Sequence, residues 1–281
     1  MSCGGWQAGG NDVARSAAMS MITVSWDDPV VRDRLGRIRQ QAPFIYGVTN
    51  YVAATLSANV LLAVGAAPAI GTAPGWPEAF GASAAAVWIN TAALISTSEK
   101  DMLHVAACAR DAGVPWVLDP VAFGAGSAEY DRIVRRLLDF APAVIRGNAS
   151  ELMALAGGDA GGKGVETTHG SDDALRHIQA LAARSAAVVA VSGATDYIAS
   201  GSKVFAVTGG DVRLTRVTGA GCALGALIAA FLPVCDTAVD AACGAHATYA
   251  AAAERAGRHA VGTGAFGVGL LDELSVLAGL Q

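Results

Sequence analysis

The sequence predicts an α/β fold, with a mostly parallel central sheet covered by helices on both faces, organised as one domain. Apolar runs of strand length alternate with longer runs of helical length along most of the chain, the order that produces parallel strands joined by crossover helices. Of the 281 residues, 53% are hydrophobic and only 15% charged, so the core is large and the surface is weakly charged or shared with other copies. An oligomer is expected. No polar linker is long enough to divide the chain.

Residues 1–24 contain Gly, Ser, Asn and Met without a continuous apolar run, which predicts a disordered extension and no secretory signal, leaving 25–281 as the domain. Asp27-Asp28-Pro29 supplies a cap and a first-turn proline for a helix to about Gln41, with Val31, Leu35 and Ile38 on one face. This is the first ordered element expected. Phe44–Thr49 reads as a strand, Asn50 opens a helix ending near Gly65, and Ala67–Ile70 is a second, short strand. From Gln40 to Pro77 no residue is charged. Asn50, Thr55, Ser57, Asn59 and the Gly/Pro punctuation interrupt this stretch before the roughly 20 apolar residues of a membrane span accumulate, so it reads as strand, helix and strand buried on several sides and in contact with another subunit.

Ala84–Asn90 is the next strand, and Ser98 caps a helix to Ala112. Gly113 stops that helix, and Val114–Asp119 is a strand ending in a carboxylate. A helix over about 128–140 leads to the strand Ala143–Arg146, and Asn148 opens a helix through Leu155. Gly157–Gly164 reads as loop, Ser171 starts a further helix, and Ala187–Ser192 is a strand. Asp196–Ala199 and Val204–Thr208 form a hairpin, and three apolar helices finish the chain.

Ligands of such sheets gather beyond the carboxyl ends of the strands. Asn50, Ile70, Asn90, Asp119, Arg146 and Ser192 all fall at predicted strand ends and so share one rim. Opposite it, Val217-Thr218-Gly219-Ala220-Gly221-Cys222 precedes an apolar helix. Two glycines with small neighbours let the amides of Gly219, Ala220 and Gly221 converge as an anion hole at a helix N-terminus. Cys222 stands on the first turn, where the helix dipole is expected to lower its pKa. Equally, the same six residues describe a loop entering a core helix with Cys222 as a small buried hydrophobe. Asp119 and Glu151 together suit Mg²⁺ with substrate phosphates completing its shell, although each alone reads as a turn residue and a capping-box glutamate. Arg146 matches a phosphate bidentately or neutralises these carboxylates.

The net charge of −5 without any basic cluster argues against nucleic acid as a partner. Five scattered cysteines without a Cys-x-x-Cys pair predict reduced thiols in a cytoplasmic protein. The five histidines lack metal-ligand spacing and are expected on helix or loop surfaces.

Taken in order, Thr49-Asn50, Ala58–Pro68, Asp119-Pro120-Val121, Ile145–Glu151, Lys163-Gly164-Val165, Val217–Cys222 and Gly262–Phe266 resemble the hydroxyethylthiazole kinase family across roughly Leu35 to Leu277. The resemblance implies a ribokinase-like three-layer sandwich, a homotrimer with sites between subunits, and transfer of the ATP γ-phosphate to the hydroxyl of 4-methyl-5-(2-hydroxyethyl)thiazole in thiamine salvage. It implies that Arg146 and Ser192 bind ATP, Ser192 standing where the family often has threonine. Ile70, Gly219 and Asn50 would line the thiazole site, Asp119 and Glu151 would serve Mg²⁺, and Cys222 would occupy the position from which the alcohol is activated. The sequence departs from the family at Ile70, commonly methionine, at Tyr46-Gly47, commonly His-Cys, and at Gly124–Glu129. These departures keep open a kinase of another small alcohol such as hydroxymethylpyrimidine; no residue argues for a dehydratase of the same fold, and intact Asp119, Glu151, Gly219, Gly221 and Cys222 weigh against a non-catalytic nucleotide-binding oligomer.

Overall fold

The computed structural model describes residues 21–157 and 170–280. Its elements run β1 (Met21–Val24), α1 (Pro29–Gln41), β2 (Phe44–Val48), α2 (Tyr51–Ala63), β3 (Ala67–Ile70), α3 (Trp76–Gly81), β4 (Ala86–Asn90), α4 (Glu99–Asp111), β5 (Trp116–Asp119) and α5 (Ala128–Leu137). There follow β6 (Val144–Asn148), α6 (Ala149–Leu155), α7 (Leu175–Ser185), β7 (Val188–Ser192), β8 (Asp196–Ser200), β9 (Lys203–Val207), α8 (Ala220–Phe231), α9 (Ala238–His259) and α10 (Thr263–Ala278). The strands form one sheet in the order β1-β9-β8-β7-β6-β5-β4-β2-β3. Only β8 runs against the others.

Local chemistry explains where the helices begin. Asp28, Asn50 and Ser98 each accept a backbone N–H of the first turn that follows, satisfying a donor the helix itself leaves free. One face of the sheet packs on α1, α2, α8, α9 and α10 through residues such as Leu35, Leu61, Leu227 and Leu270. The other packs on α4 to α7 through Met102, Val134, Leu152 and Ile178. These are the three layers expected.

Two expectations, the extension and the start of the helix at Ser171, are corrected, and one helix is new. Residues 21–24, assigned to the extension, form an edge strand with Met21 opposite Val204, so α1 is the second ordered element; a four-residue run carries too little periodicity to announce itself. Trp76–Gly81 is helical, entered through Gly75 at φ +81°. The helix placed at Ser171 begins at Leu175, after a turn. The uncharged helix α2 is buried on one side through Ala53, Val60 and Leu61 and leaves Tyr51, Val52 and Leu62 71%, 53% and 56% exposed on the other. Residues 1–20, most of the Gly157–Gly164 loop and Lys163-Gly164-Val165 lie outside the described residues. Among the described residues, no helix is long and apolar enough to cross a membrane.

Candidate active site

Arg146 lies on β6 with its guanidinium at the centre of the rim. Its Nη1 donates to Asp119 Oδ2 at 3.1 Å, and its Nη2 donates to Ser192 Oγ at 2.9 Å. Ends of three adjacent strands are thereby joined by one side chain. Asn90, paired in register with Asp119, donates through Nδ2 to the same Oδ2 at 3.3 Å. The sequence placed Asn90 on the rim without giving it a role, and the structure bonds it to Asp119.

The first turn of α8 faces this cluster. Gly219 has φ +83°, and a Cβ there would lie 3.1 Å from Ala53 Cα, so glycine is required both for the left-handed turn and for the close approach of α2. A Cβ on Gly221 would stand 3.6 Å from Arg146 Nη1, which places the turn directly over the guanidinium. The Ala220 N–H is not part of an anion hole, because it donates to the Val217 carbonyl at 3.1 Å. The N–H groups of Gly221 and Cys222 have no carbonyl four residues back within the helix. Farther in, a Cβ on Gly225 would meet Trp88 Nε1 at 2.6 Å; α8 rests on that indole.

Glu151 closes a capping box with Asn148 on α6. Its Oε2 accepts from Asn148 N at 2.8 Å and its Oε1 accepts from Ala122 N at 2.9 Å. Burial, and next the charge of Asp119, push its carboxyl up to about 7 against the relief these two bonds give. Burial also raises Asp119, opposed by its ion pair with Arg146. For Arg146, burial disfavours the charge, but Asp119, Glu151 and Cys222 outweigh it and hold the proton more tightly than usual.

The lowered thiol pKa expected of Cys222 is overturned. Desolvation, then Asp119, push it up to about 12, beyond the downward pulls of Arg146 and Asn90. Cys222 is only partly covered, yet desolvation of its thiol beside a carboxylate outweighs the helix dipole.

Among the described residues, Asp119 Oδ1, Arg146 Nε and Trp88 Nε1 are buried and meet no hydrogen-bond partner. No group of three or more His, Cys, Asp or Glu is gathered there to hold a metal alone. An orphaned carboxylate oxygen beside a second carboxylate nonetheless fits a hard cation that takes its remaining ligands from phosphate and water.

On the acceptor side, Ile70 pairs with Gly47 across β3 and β2. The space above Gly47 is filled by the Trp88 ring, 3.0 Å from where a Cβ would be. Tyr46 is fully buried on the face of the sheet opposite Trp88, and its hydroxyl donates to the Gly71 carbonyl at 2.8 Å, fixing the turn after Ile70. Asn50 Oδ1 caps α2 through Ala53 N at 2.8 Å, which leaves its amide nitrogen as the group for any ligand. His246, expected on a surface, is fully buried on α9 with Nδ1 2.7 Å from Asp196 Oδ2. Neither Trp88 nor His246 carried a signal in the sequence, because each acquires its role only from what packs against it.

The model of the hydroxyethylthiazole kinase family matches residues 35–279. The hydroxyethylthiazole kinase of Burkholderia pseudomallei (strain 668) is 63% identical over 257 residues, spanning 92% of this chain and 93% of its own. The solved structure of the hydroxyethylthiazole kinase protein from Pyrococcus horikoshii OT3 superposes with a TM-score of 0.78 at 34% identity, over 88% of this chain and 92% of that one. The ADP/ATP-dependent NAD(P)H-hydrate dehydratase of Bacillus subtilis, at 13% identity and a TM-score of 0.59 over 88% and 97% of the two chains, shares the fold alone.

Proposed function

The chain belongs to the hydroxyethylthiazole kinase family, and from that premise we propose how its ribokinase-like site carries out the family's reaction. The activity is ATP-dependent phosphorylation of the hydroxyl of 4-methyl-5-(2-hydroxyethyl)thiazole in thiamine salvage. The observation that carries the reading is Arg146, buried and bonded at once to Asp119 and Ser192 beneath the first turn of α8. A cation flanked by amide donors is an arrangement for a transferring phosphoryl group.

Arg146 and Ser192 bind the ATP phosphates. The N–H groups of Gly221 and Cys222 receive the oxygens of the γ-phosphoryl group, each such donor being worth about 10²–10³ in rate where it meets developing charge. Ile70, Gly219 and Asn50 orient the thiazole so that its hydroxyl oxygen attacks the γ-phosphorus. The new P–O bond forms as the bridging bond to the β-phosphate breaks, and ADP leaves. Asp119, whose Oδ1 meets no partner, and Glu151 would hold Mg²⁺, which when bound would neutralise charge on the phosphates. The alcohol proton need not pass to a strong base, because the transition state is loose and the nucleophile gains little charge before it forms. Cys222, protonated near neutrality, orients the hydroxyl by hydrogen bonding.

The chain from β1 onward acts as one kinase domain in a cytoplasmic homotrimer. The uninterrupted sheet supports the first part, and the uncharged, exposed face of α2 beside the edge strand β3 supports the second. The test is ADP release from the purified chain with ATP, Mg²⁺ and hydroxyethylthiazole, alongside hydroxymethylpyrimidine and a no-acceptor control. Release with the thiazole alone is expected; release with hydroxymethylpyrimidine instead would reassign the acceptor.

A further inference from the structure

Helix α9 is rich in alanine, and its polar side chains on the buried side are few. Two of them, His246 and Tyr249, stand three residues apart on one face and are 0% and 4% exposed. Tyr249 donates its hydroxyl to the Ala220 carbonyl at 2.8 Å, so it holds the first turn of α8. The His246 bond ends on a carboxylate, which only accepts, and so Nδ1 carries the proton. The other oxygen of that carboxylate, Asp196 Oδ1, accepts from Gly193 N at 2.8 Å. Gly193 opens the turn between β7 and β8 and follows Ser192, the residue bonded to Arg146. On its other side the turn is pressed against Ser171, whose Oγ would lie 2.5 Å from a Cβ on Gly193. A leucine would fill the same volume without burying an imidazole, and among the described residues His246 Nε2 meets no partner. Burying such a group is costly unless its position matters.

We infer that His246 is a positioning residue for the nucleotide. Through Asp196 it fixes the β7–β8 turn and with it Ser192, while Tyr249 fixes the opposing turn of α8, so that one rigid helix sets the gap that the ATP phosphates enter. The inference rests on the reading of Ser192 and Arg146 as the ATP side of the site.

The experiment compares the wild-type chain with His246→Leu, His246→Asn and His246→Gln, measuring KM for each substrate, kcat, and ATP binding without acceptor, with a thermal melt of each. The Asn amide nitrogen replaces Nδ1, whereas the Gln amide nitrogen replaces Nε2 and misses Asp196. His246→Leu is expected to raise KM and Kd for ATP about tenfold, the scale of a small misplacement of binding groups, with KM for the thiazole within about twofold. His246→Asn is expected to return ATP binding to within about threefold of wild type, and His246→Gln is not; that pair decides the matter if the leucine variant does not fold. Equal rises in both KM values, unchanged ATP binding in folded His246→Leu, or identical behaviour of Asn and Gln would overturn the inference. A wild-type chain that binds no ATP would overturn the nucleotide reading as well, so the two failures are distinguishable.

Discussion

With its thiol pushed up to about 12, Cys222 keeps its proton throughout the range in which a kinase is assayed, so its contribution must come from hydrogen bonding and from its backbone amide. Cys222→Ala keeps the amide and is expected to lower kcat about tenfold, with pH–rate profiles of wild type and variant parallel from pH 6.5 to 9; a wild-type limb absent from the alanine variant would restore a thiolate role. Cys222→Asp supplies a real base at the same place and is expected to preserve or raise the rate. Glu151 makes the opposite case, because its carboxyl moves from 4.5 to about 7 on folding. The folded chain then binds the proton more tightly than the unfolded one. Stability from this group is greatest below about 4.5, declines as the pH rises to 7, and is level above. The gap corresponds to at most about 3 kcal/mol, shared with Asp119. Thermal melts in EDTA should therefore show wild type losing ground to Glu151→Gln between pH 5 and 7.5, and turnover by Glu151→Gln should need far more Mg²⁺ while thiazole binding changes little.

At the scale of elements, α8 owes its seat to glycine at three heights: Gly219 against α2, Gly221 over Arg146 and Gly225 on Trp88. Gly225→Ala brings a methyl to 2.6 Å from a fully buried indole nitrogen. Overpacking of this kind costs about 1–3 kcal/mol, and the shift propagates to Cys222 one turn earlier. A lowered melting temperature together with a raised KM for thiazole is expected, and Trp88→Phe in the same chain should recover part of both. The sequence made the strands, the caps and the Gly-Ala-Gly-Cys turn legible, because strand ends, Asn50, Ser98 and Asn148 act on their own neighbours. It also aligned Asp119, Arg146 and Ser192, since parallel order puts every strand end on one rim. It did not reveal that Trp88 occupies the space left by Gly47, that Ala220 spends its N–H on Val217, or that His246 is interior. Those facts depend on which helix lands on which strand, and a raised thiol pKa depends on a carboxylate 103 positions away in the chain, Asp119 against Cys222.

For the whole molecule, the uncharged run from Gln40 to Pro77 presents Tyr51, Val52 and Leu62 on α2 to the exterior, next to β3, whose outer edge has no strand beside it among the described residues. Asn50 precedes the first residue of α2 and Ile70 ends β3, and both are proposed to meet the acceptor. An apolar face of this kind in one subunit is normally covered by another, and in the proposed trimer a closed ring of three copies would cover it in all of them. Stable interfaces bury about 800 Å² per partner, more than one helix face provides, so α2 and the β3 edge must act together. The expected solution mass is then three times the 28.2 kDa of the chain. Val52→Asp with Leu62→Asp should yield a folded smaller species by light scattering, because neither side chain belongs to the core. If the acceptor site lies at this contact, the same double variant raises KM for the thiazole by tenfold or more while ATP binding at Arg146 and Ser192 persists. Dissociation without any change in the acceptor KM would place the site wholly within one subunit, and a double variant that remained trimeric would move the interface elsewhere.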